Sequence, residues 1–152
     1  MSIEVDNLRI TKLREYLFRV ILEIKQNCLQ INTGFLSNEP DNYSLDKIPI
    51  ERVVEKWIIG DTICRDIYSF RSRMNYSADV INNIENIGFY EIFEQKIKEK
   101  NLNGNLPDID GIESIECLNC GSMNNANTNT AEFDIQIQII YKENIEPKTP
   151  SL

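Results

Sequence analysis

Apolar side chains recur every three or four residues in two stretches of the chain, and this spacing predicts two amphipathic helices. The first helix is expected over residues 8–26. The second is expected to follow Ser77, which is a good N-cap residue, and to end at Asn103 and Gly104. Gly88 lies inside the second stretch. Because glycine is a poor helix former, we expect it to bend or break that helix.

Five other stretches are predicted to be β-strands, and the clearest of them show a period of two. The predicted strands are residues 28–36, 52–59, 62–74, 112–123 and 133–142. A tight-turn signal, Gly-Asp at residues 60 and 61, joins the second and third of these strands, which predicts a hairpin. One face of the third strand is expected to be buried, and it carries Cys64, Asp66, Tyr68, Phe70 and Met74.

Turn-forming residues separate these elements. Residues 37–50 contain Pro40, Pro49 and several Asp and Asn side chains, so we predict a loop there. Residues 124–130 are predicted to form a second, very polar loop. After residue 142 the chain has no apolar pattern, which predicts a flexible C-terminal tail over 143–152.

The fold class expected is α+β: a single domain over residues 1–142, with two helices packed on a mixed or antiparallel sheet.

The charge and the histidine content exclude several classes of function. Among the 152 residues, 24 are Asp or Glu and 16 are Lys or Arg, so the net charge is −8. An acidic protein is poorly suited to bind nucleic acid or an anionic membrane. The chain has no histidine, which is the usual general base of hydrolases and a common ligand of transition metals. We therefore expect no enzymatic activity, no catalytic residue, no metal and no other cofactor.

The sequence also lacks the patterns of export and membrane insertion. No apolar stretch approaches the roughly 18 residues that a membrane-spanning helix needs. Residues 1–9 are acidic and polar, unlike a signal peptide. We expect a protein that stays inside the cell, where its four cysteines would be reduced thiols.

Cys117 and Cys120 have the C-x-x-C spacing of a zinc knuckle or of a dithiol redox motif. A structural zinc needs four ligands, and the remaining cysteines, Cys28 and Cys64, are isolated. On a strand, residues three apart also point to opposite faces. We interpret the pair as small, buried side chains.

Asp108 and Asp110 precede Gly111, which is part of the pattern of a calcium loop. With Gly111 in the glycine position of such a loop, the first ligand would be Leu106 and the last Cys117, and neither supplies a side-chain oxygen. The segment is predicted to be a polar turn that begins at Pro107.

Three arginines, Arg65, Arg71 and Arg73, are expected on the polar face of the strand at 62–74. The simplest interpretation is a solvated face with local ion pairs. Guanidinium groups on one side of a sheet are also suited to bind phosphates or the carboxylates of a partner protein. In an acidic protein the carboxylates of a neighbouring copy are favoured over nucleic acid, so these three arginines are the candidate subunit interface.

Four segments together resemble a family of small phage tail proteins from prophages and phage-tail-like particles of Gram-positive bacteria. They are residues 38–46 (NEPDNYSLD), 83–91 (NIENIGFYE), 105–108 (NLPD) and the strand over 130–141. The most distinctive pieces are E-P-x-N-Y-S and N-I-x-N-x-G-F-Y. The resemblance covers most of the chain, from about residue 13 to residue 141, and the family is that of tail terminator or tail completion proteins.

This resemblance implies a tail-terminator-like fold and a structural function. Such a protein forms a six-membered ring that caps the head-proximal end of the tail tube, stops its polymerisation and docks the neck. The implied partners are other copies of the chain, the tail tube protein, the sheath protein where the tail is contractile, and neck or connector proteins. The implied location is the virion tail, after assembly in the host cytoplasm. A head-to-tail connector subunit, or a small-ligand or enzymatic domain, are the alternatives.

Overall fold

The structure is a computed structural model that describes residues 5–24, 31–32, 42–56, 60–75, 80–119, 122–126 and 130–144. In these ranges a short 3-10 turn, Val5–Asn7, precedes helix α1, and a second helix α2 follows the fourth strand. The helices are α1 (Arg9–Ile24) and α2 (Val80–Leu102). The strands are β1 (Ile31–Asn32), β2 (Asn42–Ile48), β3 (Val53–Lys56), β4 (Asp61–Asn75), β5 (Ile112–Cys117), β6 (Ser122–Ala126) and β7 (Thr130–Asn144).

The sheet is built around β4 and β7, which pair antiparallel over 15 residues without a register shift. Two shorter strands, β2 and β3, lie in line along the other edge of β4. In the same way, β5 and β6 lie in line along the other edge of β7. The pairing of β1 with β2 is parallel, and every other pairing in the described ranges is antiparallel. The α+β class and the mixed, mostly antiparallel sheet are therefore confirmed.

Both helices pack into one hydrophobic core with one face of the sheet. The apolar stripe of α1 contributes five buried residues: Leu13, Tyr16, Leu17, Val20 and Ile21. From α2, Phe93 stacks on Phe70 of β4 with ring centroids 5.4 Å apart, and Phe70 stacks in turn on Tyr43 of β2 at 5.5 Å. Burial of large apolar side chains drives this packing.

The alternation in the two long strands places their side chains as the sequence predicts. In β4, Cys64, Asp66, Tyr68 and Phe70 are buried, and the side chains between them are partly exposed. In β7 the buried residues opposite are Phe133, Ile135, Ile137, Ile139 and Tyr141. The antiparallel pairing of the predicted hairpin is confirmed between β3 and β4, with Gly60 in the left-handed conformation at φ 84°. Asp61, predicted in the turn, is the first residue of β4, and residues 57–59 lie outside the described residues.

The prediction of a loop over residues 37–50 is wrong, because residues 42–48 form β2. Tyr43 and Leu45 alternate into the core and are fully buried, each 0% exposed. Two of the residues that suggested a loop, Asn42 and Asp46, lie on a strand whose last residue directly precedes Pro49. Pro49 marks where the strand ends, since proline removes a ladder donor.

The predicted break at Gly88 is also wrong, because α2 is continuous through this residue. The helix continues into Phe89, Phe93 and Ile97, which are buried, and this packing outweighs the weak helix propensity of one glycine. The predicted C-terminus is confirmed. Gly104 has φ 74°, and the amide of Asn105 donates to the carbonyl of Lys100 at 2.9 Å.

The strand predicted over residues 112–123 is two strands, β5 and β6, which pair with different parts of β7. The loop predicted at 124–130 is correspondingly too long, because β6 extends to residue 126 and β7 begins at residue 130. At the other end, β7 runs to residue 144, two residues past the predicted domain boundary. The remaining predictions on 28–30, 33–36, Ser77 and the tail over 145–152 lie outside the described residues.

Neither helix that the structure describes has the length and apolar character needed to cross a membrane.

Candidate functional site

The outer face of the sheet is the face opposite the helices. Residues that pair directly across a ladder share a face, so the registers define it. None of its side chains belongs to the hydrophobic core cluster. The outer face includes Ser44, Asp46, Ile48, Glu55, Asp61, Ile63, Arg65, Ile67, Ser69, Arg71, Arg73, Ser114, Glu116, Glu132, Asp134, Gln136, Gln138, Ile140, Lys142 and Asn144.

Arg71 is the centre of the polar end of the outer face. One guanidinium nitrogen lies 3.0 Å from Asp46 on β2, and another lies 3.4 Å from Glu132 on β7. It also donates to the hydroxyl of Ser44 at 3.4 Å. The ladders explain this arrangement, because β4 lies between β2 and β7 and a long side chain reaches both neighbours. We call Arg71, Asp46 and Glu132 the Arg71 cluster.

The structure places all three predicted arginines on the outer face, with Arg71 and Arg73 as neighbours and Arg65 apart from them. Arg65 is six residues from Arg71 along β4, which corresponds to about 20 Å. Arg73 is opposite Glu132 in the register and has an interaction partner of its own. Arg65 is opposite Ile140, and its Nε atom is buried without a hydrogen-bond partner in the part of the chain described. Arg71 and Arg73 therefore interact with groups of their own chain, whereas Arg65 has one donor, Nε, without an acceptor in the described residues.

A second polar site lies inside the core, around the carboxylate of Asp66, which is fully buried at 0% exposure. Arg9 at the start of α1 donates from Nε at 2.7 Å, and the hydroxyls of Tyr68 and Tyr141 each donate at 3.1 Å. The ammonium of Lys47 lies 3.6 Å away. We call these five residues the Asp66 cluster. The Arg9 guanidinium also lies over the Tyr141 ring, 4.5 Å from its centroid.

The environment sets the protonation of this cluster. Burial acts to raise the pKa of Asp66, but the hydrogen bond from Arg9 and the positive charges of Arg9 and Lys47 outweigh it, so the pKa is lowered. Burial and the negative charge of Asp66 raise the pKa of Tyr68. Burial is also the main cause that raises the pKa of Tyr141 to about 12. At neutral pH the carboxylate is therefore ionised and both phenols are protonated donors.

A polar cleft of 630 Å³ lies beside this cluster, and Arg9 and Tyr141 form part of its wall. Its other charged side chains have mixed signs: Lys12, Asp108, Asp110, Lys142 and Glu143. Glu143 is paired with Arg52 at 2.5 Å. The hydrogen bond from Arg52 is the main cause that lowers the pKa of Glu143. The carboxylate of Asp66 already accepts three hydrogen bonds, so the cluster is arranged to hold α1 on the sheet rather than to take up a proton.

The cysteine and aspartate motifs do not converge on one place. Neither Cys64 nor Cys117 is joined in a disulfide, and the described residues contain no group of three or more His, Cys, Asp or Glu arranged to hold a metal. Cys28 and Cys120 lie outside the described residues. Asp108 and Asp110 are exposed in a turn, as predicted. Gly111 has φ 74° and would place a Cβ atom 2.1 Å from the carbonyl oxygen of Lys142, so this turn requires glycine.

Sequence reasoning placed Asp66 on a buried face but did not predict its partners. The available signal was the charge itself, because a carboxylate on an apolar strand face needs a donor. Arg9 precedes Asp66 by 57 residues, and only the tertiary fold brings the two together.

No family model matches the chain, and no curated protein matches it. The function is therefore proposed from the chain's own surfaces and from the resemblance of its motifs.

Proposed function

We propose that the protein is a structural tail terminator of a phage or a phage-tail-like particle. In this role it forms a ring, expected to be a hexamer, at the head-proximal end of the tail tube. The ring stops polymerisation of the tube and docks the neck. Its partners are other copies of the chain, the tube protein, the sheath protein of a contractile tail, and neck or connector proteins. It acts in the virion tail and is assembled in the host cytoplasm.

The outer face is the observation that carries this proposal. It extends across five strands, β2, β3, β4, β5 and β7, and partly exposed isoleucines and arginines lie on it instead of a uniformly charged surface. A sheet face of this kind is suited to contact another protein through apolar area and paired charges. A ring protomer needs such a face, because each copy must contact its neighbours.

The arrangement of the buried polar groups also favours a binding role over catalysis. Asp66 is the most buried carboxylate in the described ranges, and Arg9, Tyr68 and Tyr141 already donate to it. A general base needs a free lone pair and a pKa near the working pH, whereas the pKa of Asp66 is lowered. The cluster thus supports a protein that works through its shape and surface.

Deletion of the gene tests the proposal, with tail length measured by electron microscopy. A growing tube is a stack of rings that recruits further rings, so a missing cap is expected to give tubes of irregular or excessive length that fail to join heads. Expression of the wild-type gene from a plasmid is the control and should restore normal length. Tails of normal length that fail to attach would support a connector subunit instead. Fully functional particles would contradict both structural roles.

A further inference from the structure

The two ends of the outer face differ in chemistry. The Arg71 cluster lies at one end, where charges of opposite sign are paired within the chain. At the other end four partly exposed isoleucines lie around Arg65, and an ion pair between Lys142 and Asp61, at 3.4 Å, borders them. We call them the isoleucine patch: Ile48, Ile63, Ile67 and Ile140.

The registers make this patch continuous. Ile48 on β2 is directly opposite Ile67 on β4, and Ile140 on β7 is directly opposite Arg65. Ile63 and Ile67 flank Arg65 on the same face of β4, two residues away on either side. Directly opposed side chains are about 5 Å apart, so Arg65 and the four isoleucines are neighbours on one face. Polar side chains border them, since Lys142 and Glu55 are directly opposite Ile63 and Gln138 is directly opposite Ile67.

Arg65 has a donor that the described fold leaves unused. Its Nε atom is buried and has no hydrogen-bond partner, whereas the guanidinium of Arg71 has acceptors on both neighbouring strands. An N–H group that is out of reach of both water and an acceptor destabilises the free protomer. A carboxylate that contacts this guanidinium on binding would remove that penalty and would neutralise the charge.

We infer that the isoleucine patch and Arg65 form the surface on which a second copy of this chain docks, and this inference rests on the proposed ring. A suitable occupant combines apolar side chains with a carboxylate that faces Arg65. Charge complementarity favours a second copy as the partner of Arg65. The chain carries eight more acidic than basic residues, so another copy presents carboxylates that can contact this cation. The Arg71 cluster serves as an internal brace next to this contact and not as a part of it.

The test measures self-association by sedimentation velocity over a range of protein concentrations. Replacing Ile63→Ser and Ile67→Ser together removes half of the apolar patch and is expected to weaken association at least about tenfold. The matched control is Ile92→Ser, which changes an isoleucine of α2 that is 49% exposed and lies away from the sheet's outer face. This control should associate like the wild type.

A second pair of variants tests the cation. Arg65→Met keeps an unbranched stem that reaches about as far as Nε but removes the charge and the donors, and it is expected to weaken association about tenfold. The control is Arg19→Met, which changes an exposed arginine of α1. Arg65→Lys keeps the charge and should lie between the wild type and Arg65→Met. Circular dichroism and urea unfolding of each variant separate loss of association from loss of folding. If Arg65→Met fails to fold, the Arg65→Lys and isoleucine variants decide.

The outcomes separate this inference from the proposed function. A wild-type ring that persists in the isoleucine and Arg65 variants would overturn the inference and leave the tail terminator role intact. A wild-type protein that remains a monomer, yet binds tail tube protein through the same residues, would also overturn it, because the occupant would be a different protein. The terminator role itself is tested by tail length in the deletion strain, and that result is independent of these binding measurements.

Discussion

The Asp66 cluster and the Arg71 cluster use the same chemistry in two different settings. Each joins an arginine to a carboxylate across strands or elements, at 2.7 Å in the first and 3.0 Å in the second. The two arginines are equally accessible, with side chains 33% and 30% exposed. The carboxylates differ: the side chain of Asp66 is 1% exposed and that of Asp46 is 29% exposed.

This difference teaches that the burial of the carboxylate decides what the pair contributes. A buried carboxylate that loses its partners cannot recover its hydration, so the protein depends on every donor around it. A partly exposed carboxylate exchanges its partner for water at little cost in free energy. The Asp66 cluster is therefore expected to fix α1 on the sheet. The Arg71 cluster is expected to pair charges on the surface and to contribute less to stability.

The largest effect is expected from removing the two carboxylates one at a time. Asp66→Ala deprives Arg9 and Lys47 of their buried counter-charge and two tyrosines of their acceptor, so it should lower the free energy of unfolding by about 3 kcal/mol. Asp46→Ala, its matched control, should lower it by at most about 1 kcal/mol. Urea unfolding at pH 7 gives both values. Equal losses would contradict the comparison.

A smaller effect is expected from removing single hydroxyl donors. Tyr68→Phe and Tyr141→Phe each remove one hydrogen bond to an ionised, buried carboxylate, which should lower the free energy of unfolding by about 1.5 kcal/mol. Ser69→Ala removes a comparable bond to Asp134 on the outer face, at 2.8 Å, and should lower it by about 0.5 kcal/mol. The same urea titrations measure these changes. A serine variant as unstable as the tyrosine variants would show that burial is not decisive.

The dependence of stability on acidic pH should reveal the contribution of the buried carboxylate of Asp66. The pKa of Asp66 is lowered in the folded chain, so the folded state binds fewer protons than the unfolded state and its stability rises with pH. The contribution is present above the unfolded pKa of about 3.9 and is lost as the pH falls through the lower folded value. Unfolding measured from pH 6 to pH 2 should show this loss in the wild type and a weaker one in Asp66→Asn. Glu143 leaves a residual slope, since its pKa is lowered as well. Identical profiles would contradict the assignment.

A similarly small effect is expected from the partly exposed guanidinium of Arg71. Arg71→Met removes ion pairs to Asp46 and Glu132, which are 29% and 14% exposed, and should lower the free energy of unfolding by about 0.5 to 1 kcal/mol. Added salt should reduce the difference between the variant and the wild type, because salt screens surface charges. Thermal unfolding at low and high salt tests this expectation. A loss as large as that of Asp66→Ala would show that the Arg71 cluster is as important to the fold.

The sequence predicted those parts of the fold in which the pattern and the tertiary packing agree. The alternation in β4 and β7 and the stripe of α1 are of this kind, since each buries one continuous face. The strand β2 was missed because its polar residues resemble a loop, while only Tyr43 and Leu45 reach the core. Gly88 was misjudged because aromatic packing from the next turns overrides local propensity.

The candidate sites show the same limit. Alternation was sufficient to place Arg65, Arg71 and Arg73 on one face. It could not separate the engaged guanidinium from the unused one, because that difference depends on which carboxylates the neighbouring strands present. The pairing of Arg9 with Asp66 was equally out of reach, since nothing local in the sequence links α1 to β4.

The long ladder between β4 and β7 has a consequence for the order of folding. Its near end joins residues 75 and 130 and its far end joins 61 and 144, so every pair spans a large part of the chain. The β3–β4 hairpin and the β6–β7 pair close short loops and can form early, whereas the ladder requires a long loop to close before any pairing compensates for the lost chain entropy. We expect two locally formed halves to meet late, which makes the joining of the central strands the rate-limiting step of folding. Until that step, both long strands have an unpaired edge, and newly made chains are then most exposed to aggregation.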